Sequence, residues 1–140
     1  MSGYVVDASV AIKWYLPEIH AEAAQRLLTG EAKLLVPDLI FAEAGNILWK
    51  RVRSGEILEA EAEAVMQSLG ALPLAVSPSW PRVLPALTLA CQAKRTVYDS
   101  LYLALAVRES AIMVTADEKF VNALKGTPLE AYALWVEDIP

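Results

Sequence analysis

Short apolar runs alternate with stretches of helical periodicity along this chain. Tyr4-Val5-Val6 is the first run and ends at Asp7. Val10 to Leu16 reads as a helix that Pro17 stops, and His20 to Leu28 as a second, with Gly30 placed to end it. Lys33 to Val36 reads as a strand. Pro37 then opens a helix reaching Arg53, with Gly55 beyond it, and the alanine- and glutamate-rich segment Glu56 to Leu69 continues as helix. Leu74 to Val76 is the next strand. Ser79-Trp80-Pro81 has the form of a helix start, with Ser79 as cap and proline in the first turn. Thr96 to Glu109 is helical, Ala111 to Thr115 a strand, Asp117 to Leu124 a short helix and Ala131 to Val136 a last strand.

The strands are apolar throughout instead of alternating, so both faces of their sheet must be covered. With a helix between successive strands, the pattern predicts a three-layer α/β/α sandwich around a mainly parallel sheet. No linker or repeat interrupts it, and residues 1–140 read as a single domain. In such sheets ligands bind beyond the carboxyl ends of the strands.

Composition narrows the chemistry. One cysteine, Cys91, and one histidine, His20, exclude an internal disulfide framework and a thiolate or imidazole metal site. Cys91 is expected to be a small packed side chain and His20 a solvated or capping group. No apolar run approaches the ~18 residues of a membrane span. Met1-Ser2-Gly3 leads directly into the first strand without a basic segment or cleavage signal, so a cytoplasmic protein is expected. The net charge of −5 opposes nucleic-acid binding unless local cations offset it.

Four acids carry the argument. At 100° per residue, Glu43 falls in the middle of the stripe formed by Leu39, Ile40, Asn46 and Ile47, where its helix should meet the sheet. An unpaired carboxylate there costs several kcal/mol or takes up a proton. Asp7 and Asp117 each follow a strand, and Asp99 lies in the first turn of a helix. Alone, each of these three is explained as a helix cap, with Thr96 to Asp99 fitting a capping box. Together with Glu43 they can converge on one end of the sheet. Two carboxylates ~4 Å apart repel by roughly 4 kcal/mol at an effective dielectric of ~20, so four cannot cluster ionised without a cation. Oxygen ligands alone suit Mg²⁺ or Mn²⁺, whose chemistry is activation of water and in-line displacement at phosphorus. Ser9, Asn46 and Thr115 are neutral groups suited to orienting those carboxylates.

The chain resembles the PIN-domain nucleases, and among them the toxins of VapBC-type toxin–antitoxin pairs. The resemblance rests on Val5-Val6-Asp7-Ala8-Ser9, Ala42-Glu43-Ala44-Gly45-Asn46-Ile47-Leu48, Tyr98-Asp99-Ser100-Leu101-Tyr102-Leu103-Ala104-Leu105-Ala106 and Val114-Thr115-Ala116-Asp117-Glu118-Lys119-Phe120. These segments occur in the family's order and spacing over nearly the whole chain. Ser100 departs from the family's frequent alanine, and Glu118 stands where some relatives carry a further acid. The resemblance implies a Mg²⁺- or Mn²⁺-dependent endoribonuclease, a homodimer, and inhibition by a small antitoxin. It also implies that Asp7, Glu43, Asp99 and Asp117 bind metal and catalyse, with Ser9, Asn46 and Thr115 in support. Lys50, Arg51 and Arg53 beside Glu43, and Lys94 and Arg95 before Asp99, are the candidate RNA contacts that would answer the charge objection.

Other phosphoryl chemistries fit less well. A receiver-type phosphoacceptor domain pairs acids at the first strand and places a lysine at the end of a late one, where this chain has Thr115-Ala116-Asp117. A haloacid-dehalogenase-like phosphatase needs an aspartate where Ser9 stands. Dinucleotide binding needs a glycine fingerprint that is absent. A PIN nuclease of RNA processing, outside any toxin pair, is the remaining alternative.

Overall fold

A computed structural model describes residues 3–140. Five strands, β1 (Tyr4–Val6), β2 (Leu34–Pro37), β3 (Ala75–Ser77), β4 (Ile112–Thr115) and β5 (Ala133–Trp135), form one sheet in the order β3-β2-β1-β4-β5. Every neighbouring pair is parallel. Among the described residues seven α-helices fill the connections: α1 (Ala8–Ala11), α2 (Ala21–Thr29), α3 (Leu39–Arg53), α4 (Glu59–Ala71), α5 (Val83–Ala93), α6 (Val97–Glu109) and α7 (Glu118–Ala123).

This order dictates the layers. From β1 the chain moves one way along the sheet, to β2 and β3, and then returns across it to β4 and β5. Right-handed crossovers therefore put α1 to α4 over one face and α5 to α7 over the other, the expected sandwich. The direction of travel reverses between β1 and β4, leaving a crevice at their carboxyl ends. Register brings Val6 beside Val114, so Asp7 and Thr115 emerge next to each other at that crevice.

The sheet is buried through Val5, Val6, Leu35, Val36, Met113 and Val114. Helix α6 supplies the largest apolar block, with Ser100 to Ala106 all buried as it crosses β1, β2 and β4. Gly3 is required where β1 meets β2: its φ of +124° suits glycine, and a Cβ would lie 2.3 Å from the Lys33 carbonyl oxygen.

Several local expectations shift. The first helix begins directly after Asp7, because the Asp7 side chain caps it, and narrows to a 3-10 turn over Ile12–Trp14 before Pro17. Helix α4 starts at Glu59, not Glu56, since Gly55 turns the chain at φ +81° and Glu61 accepts the Leu58 N–H at 3.1 Å. Ser79 caps nothing; its N–H donates to Asp38 Oδ1 at 3.1 Å. His20 enters α2 in a left-handed conformation without a side-chain cap, and its Nδ1 lies 2.6 Å from Glu137 Oε2. Cys91 is exposed, because the buried face of α5 is formed by Ala86 and Ala90.

Candidate active site

Asp7, Glu43, Asp99 and Asp117 reach the crevice from four different elements and line one cavity of about 200 Å³, with Ser9, Thr115, Tyr102 and Phe120 among its other walls. Capping and convergence turn out to be compatible. Asp7 Oδ1 caps α1 by accepting the Val10 N–H at 3.0 Å, and also accepts the Ser9 hydroxyl at 2.6 Å. Asp117 Oδ1 caps α7 through the Phe120 N–H at 3.3 Å. Asp99 has its own N–H held by Thr96 Oγ1 at 3.0 Å, which fixes the first turn of α6 while leaving its carboxylate to the cavity. Thr115 Oγ1 accepts the Asp117 N–H at 3.1 Å, so it orients the strand end that delivers this acid.

Glu43 sits differently from the expectation. The buried stripe of α3 is Ile40, Ala44 and Leu48, four residues apart, so Glu43 lies on the edge of that face and is half-buried. There its Oε1 accepts a 2.6 Å hydrogen bond from the buried Tyr102 hydroxyl. Tyr102 was not picked out from the sequence. Its signal was present, since it follows Asp99 by three positions and shares that face of α6.

Crowding acids away from water shows in their ionisation. Burial raises Asp7 to about 6, with hydrogen bonds from Ser9, Thr115 and the Val10 N–H pulling it down and the charge of Asp99 adding a smaller rise. Burial also lifts Glu43, against the Tyr102 hydrogen bond, and lifts Asp99, against the pull of Arg95. Tyr102 is in turn held firmly protonated, first by burial and then by its bond to Glu43.

The neutral and basic candidates scatter. Ser9 and Thr115 belong to the cavity, whereas exposed Asn46 lines an adjoining cleft of about 490 Å³ with Glu43, Ile47, Lys50 and Tyr98. Arg51 pairs with Glu18 and lies 3.4 Å from Glu56. Arg53 stacks on Trp49, 4.8 Å from the ring centre, and Lys94 is an exposed helix end. Arg95 turns inward and pairs with Asp117 and Asp99. Glu118 is exposed outside the cavity. A larger cavity of about 700 Å³ at the amino ends of β2 and β3 is mostly apolar and contains no acid.

The donor set is all carboxylate oxygen, which fits a hard divalent ion. Among the described residues, however, no three acidic, histidine or cysteine side chains already form a coordination shell. Two of the four acids are turned toward Arg95 instead.

A parallel five-stranded sandwich with this acidic crevice defines a class, and the family model described as PIN domain matches residues 4–125; the chain belongs to that family. Within it the chain stands with the VapC proteins. It is 36% identical over 120 residues to Ribonuclease VapC3 of Pyrobaculum aerophilum, covering 84% of this chain and 92% of that one. A solved protein of the same organism superimposes with a TM-score of 0.71 at 27% identity, covering 96% of this chain and 84% of that one. A toxin–antitoxin complex from Klebsiella pneumoniae shares the fold at a TM-score of 0.65 and 13% identity, with 97% and 99% of the two chains covered.

Proposed function

We propose that this chain is a one-domain, Mg²⁺- or Mn²⁺-dependent endoribonuclease, the toxin of a toxin–antitoxin pair. The observation that carries this reading is the convergence of Asp7, Glu43, Asp99 and Asp117, from four elements, on one cavity at the β1–β4 crevice. Membership of the VapC branch supports RNA as the substrate and favours a toxin over a nuclease of RNA processing. PIN membership also sets aside the receiver alternative.

The four carboxylates would hold the ion. When bound, it supplies an activated water and offsets charge at phosphorus. Ser9 and Thr115 keep the Asp7 carboxylate oriented, and the Tyr102 hydroxyl does the same for Glu43. The adjoining cleft shares Glu43 and Ile47 with the acidic cavity and offers a cation, Lys50, and an exposed aromatic ring, Tyr98. Those are the groups that hold a phosphate and stack a base. A strand lying through both spaces would cross the acids without ending there, which favours internal cleavage.

The assembly is a homodimer in this reading, and the enzyme is cytoplasmic with its RNA. Trp80, Leu84 and Leu87 are all exposed at helical spacing on the turn into α5 and on α5 itself, an apolar stripe suited to a second copy. A separate groove of about 600 Å³ between α3 and α4, lined by Leu48, Trp49, Val52 and Met66, suits an apolar helix of a small antitoxin. Among the described residues no helix is long and apolar enough to cross a membrane.

The test is incubation of purified protein with a structured RNA labelled at either end, with Mn²⁺ or with EDTA. Internal fragments that require Mn²⁺ and vanish in Asp7→Asn support the reading. Cleavage that persists in EDTA would remove the metal, and end-trimming alone would remove the endonuclease.

A further inference from the structure

Arg95 occupies a specific seat. Lys94 follows helix α5 in a left-handed conformation (φ 56°) that turns the chain sharply, and Thr96 caps α6 two residues later. The guanidinium of Arg95 thereby meets two of the acids that line the cavity. Its Nη2 pairs with Asp117 Oδ2 and lies 3.4 Å from Asp99 Oδ2. Its plane lies over Phe120, with Cζ 4.5 Å from the ring centre. Asp117 Oδ1 is already committed to the Phe120 N–H, so the guanidinium takes the oxygen that remains. The seat is incomplete for an arginine, because the buried Nε has no hydrogen-bond partner among the described residues.

We infer that Arg95 is an exchangeable internal counter-ion: it neutralises Asp99 and Asp117 in the metal-free protein, and a divalent cation enters by displacing it. The inference rests on the metal-dependent reading of the site. Arg95 engages one oxygen each of Asp99 and Asp117 and neither Asp7 nor Glu43, so an ion held by all four acids of this cavity of about 200 Å³ must take Asp99 and Asp117 from the guanidinium. The exchange also accounts for the lack of a coordination shell among the described residues, since Asp99 and Asp117 are paired with Arg95. Two ligands competing for one set of acids weaken each other reciprocally. Once displaced, the guanidinium remains tethered beside the reacting centre by its three-residue loop.

Mn²⁺ titration by calorimetry into wild type, Arg95→Leu and Arg95→Lys tests the exchange without reference to turnover. Leucine keeps an apolar contact with Phe120 and removes the unpartnered Nε, so Arg95→Leu retains its fold by circular dichroism. Even in water, a single charge ~5 Å from a divalent ion weakens binding by about tenfold. Arg95→Leu should therefore bind Mn²⁺ about tenfold more tightly than wild type, and Arg95→Lys should return toward the wild-type affinity. In wild type, the Arg95 Nε–H resonance should move as diamagnetic Mg²⁺ saturates the site, a measurement independent of any variant's folding. Unchanged or weaker Mn²⁺ binding by Arg95→Leu, or an unmoved resonance at saturation, overturns the exchange. Failure of the parent reading is distinguishable: neither wild type nor variant would take up Mn²⁺, and the exchange falls with it.

Discussion

Replacing Asp7 by asparagine should stabilise the metal-free protein while abolishing its activity, and the size of the effect follows from burial. A carboxyl raised from 3.8 to about 6 on folding disfavours the ionised folded state by about 3 kcal/mol at pH 7.5. The sign follows from proton binding. The folded chain holds this proton more tightly than the unfolded chain, so stability is greatest below the unfolded pKa and is lost as pH rises through about 6. At pH 4.5 the same linkage leaves a cost of only about 1 kcal/mol. Asparagine retains an Oδ1 to accept the Val10 N–H and the Ser9 hydroxyl, but those bonds lose their charge assistance, at a cost of about 1 kcal/mol. The net expectation is a gain of about 2 kcal/mol at pH 7.5 and almost none at pH 4.5. Urea denaturation in EDTA at the two pH values measures it. Saturating Mn²⁺ should reverse the ranking, because only the wild type gains the free energy of metal binding. Loss of stability in Asp7→Asn at pH 7.5, or a difference that ignores pH, would refute the argument and leave Asp7 as a helix cap alone.

Tyr102→Phe keeps the buried ring but strips Glu43 of its hydrogen bond, so Mn²⁺ affinity should fall several-fold with the fold intact; urea denaturation should show a loss of about 1 kcal/mol at pH 7.5 and less at pH 4.5. Glu18→Ala leaves the Lys13 ammonium buried without its 3.1 Å partner, and chemical denaturation should register a loss of about 3 kcal/mol with activity largely kept in the surviving folded fraction. Leu84→Glu should convert a dimer into a monomer by sedimentation, and a wild type that is monomeric at the same concentration would remove the α5 stripe as an interface.

Much of this architecture was legible in the residue order. Unbroken apolar strands separated by helices specify a parallel sheet covered on both faces, and that sheet is present with every pair parallel. Asp7, Thr96 and Asp117 were readable as helix caps because a cap bonds to a backbone group three residues away. The same reasoning could name four acids, but not how they would sit. Glu43 at the edge of its buried face, instead of the centre, depends on the angle at which α3 meets its neighbours. Cys91 is exposed and His20 is paired with a glutamate 117 positions away, because one lies off the buried Ala86–Ala90 face of α5 and the other meets the 3-10 turn Val136–Asp138. Tyr102 reaches Glu43 across 59 positions, and Arg95 reaches Asp117 across 22. Periodicity and capping report interactions within a few residues, where geometry is fixed by the backbone. Pairings across crossovers are set by strand order and helix packing, so only the tertiary structure decided that Arg95 would pair with Asp99 and Asp117.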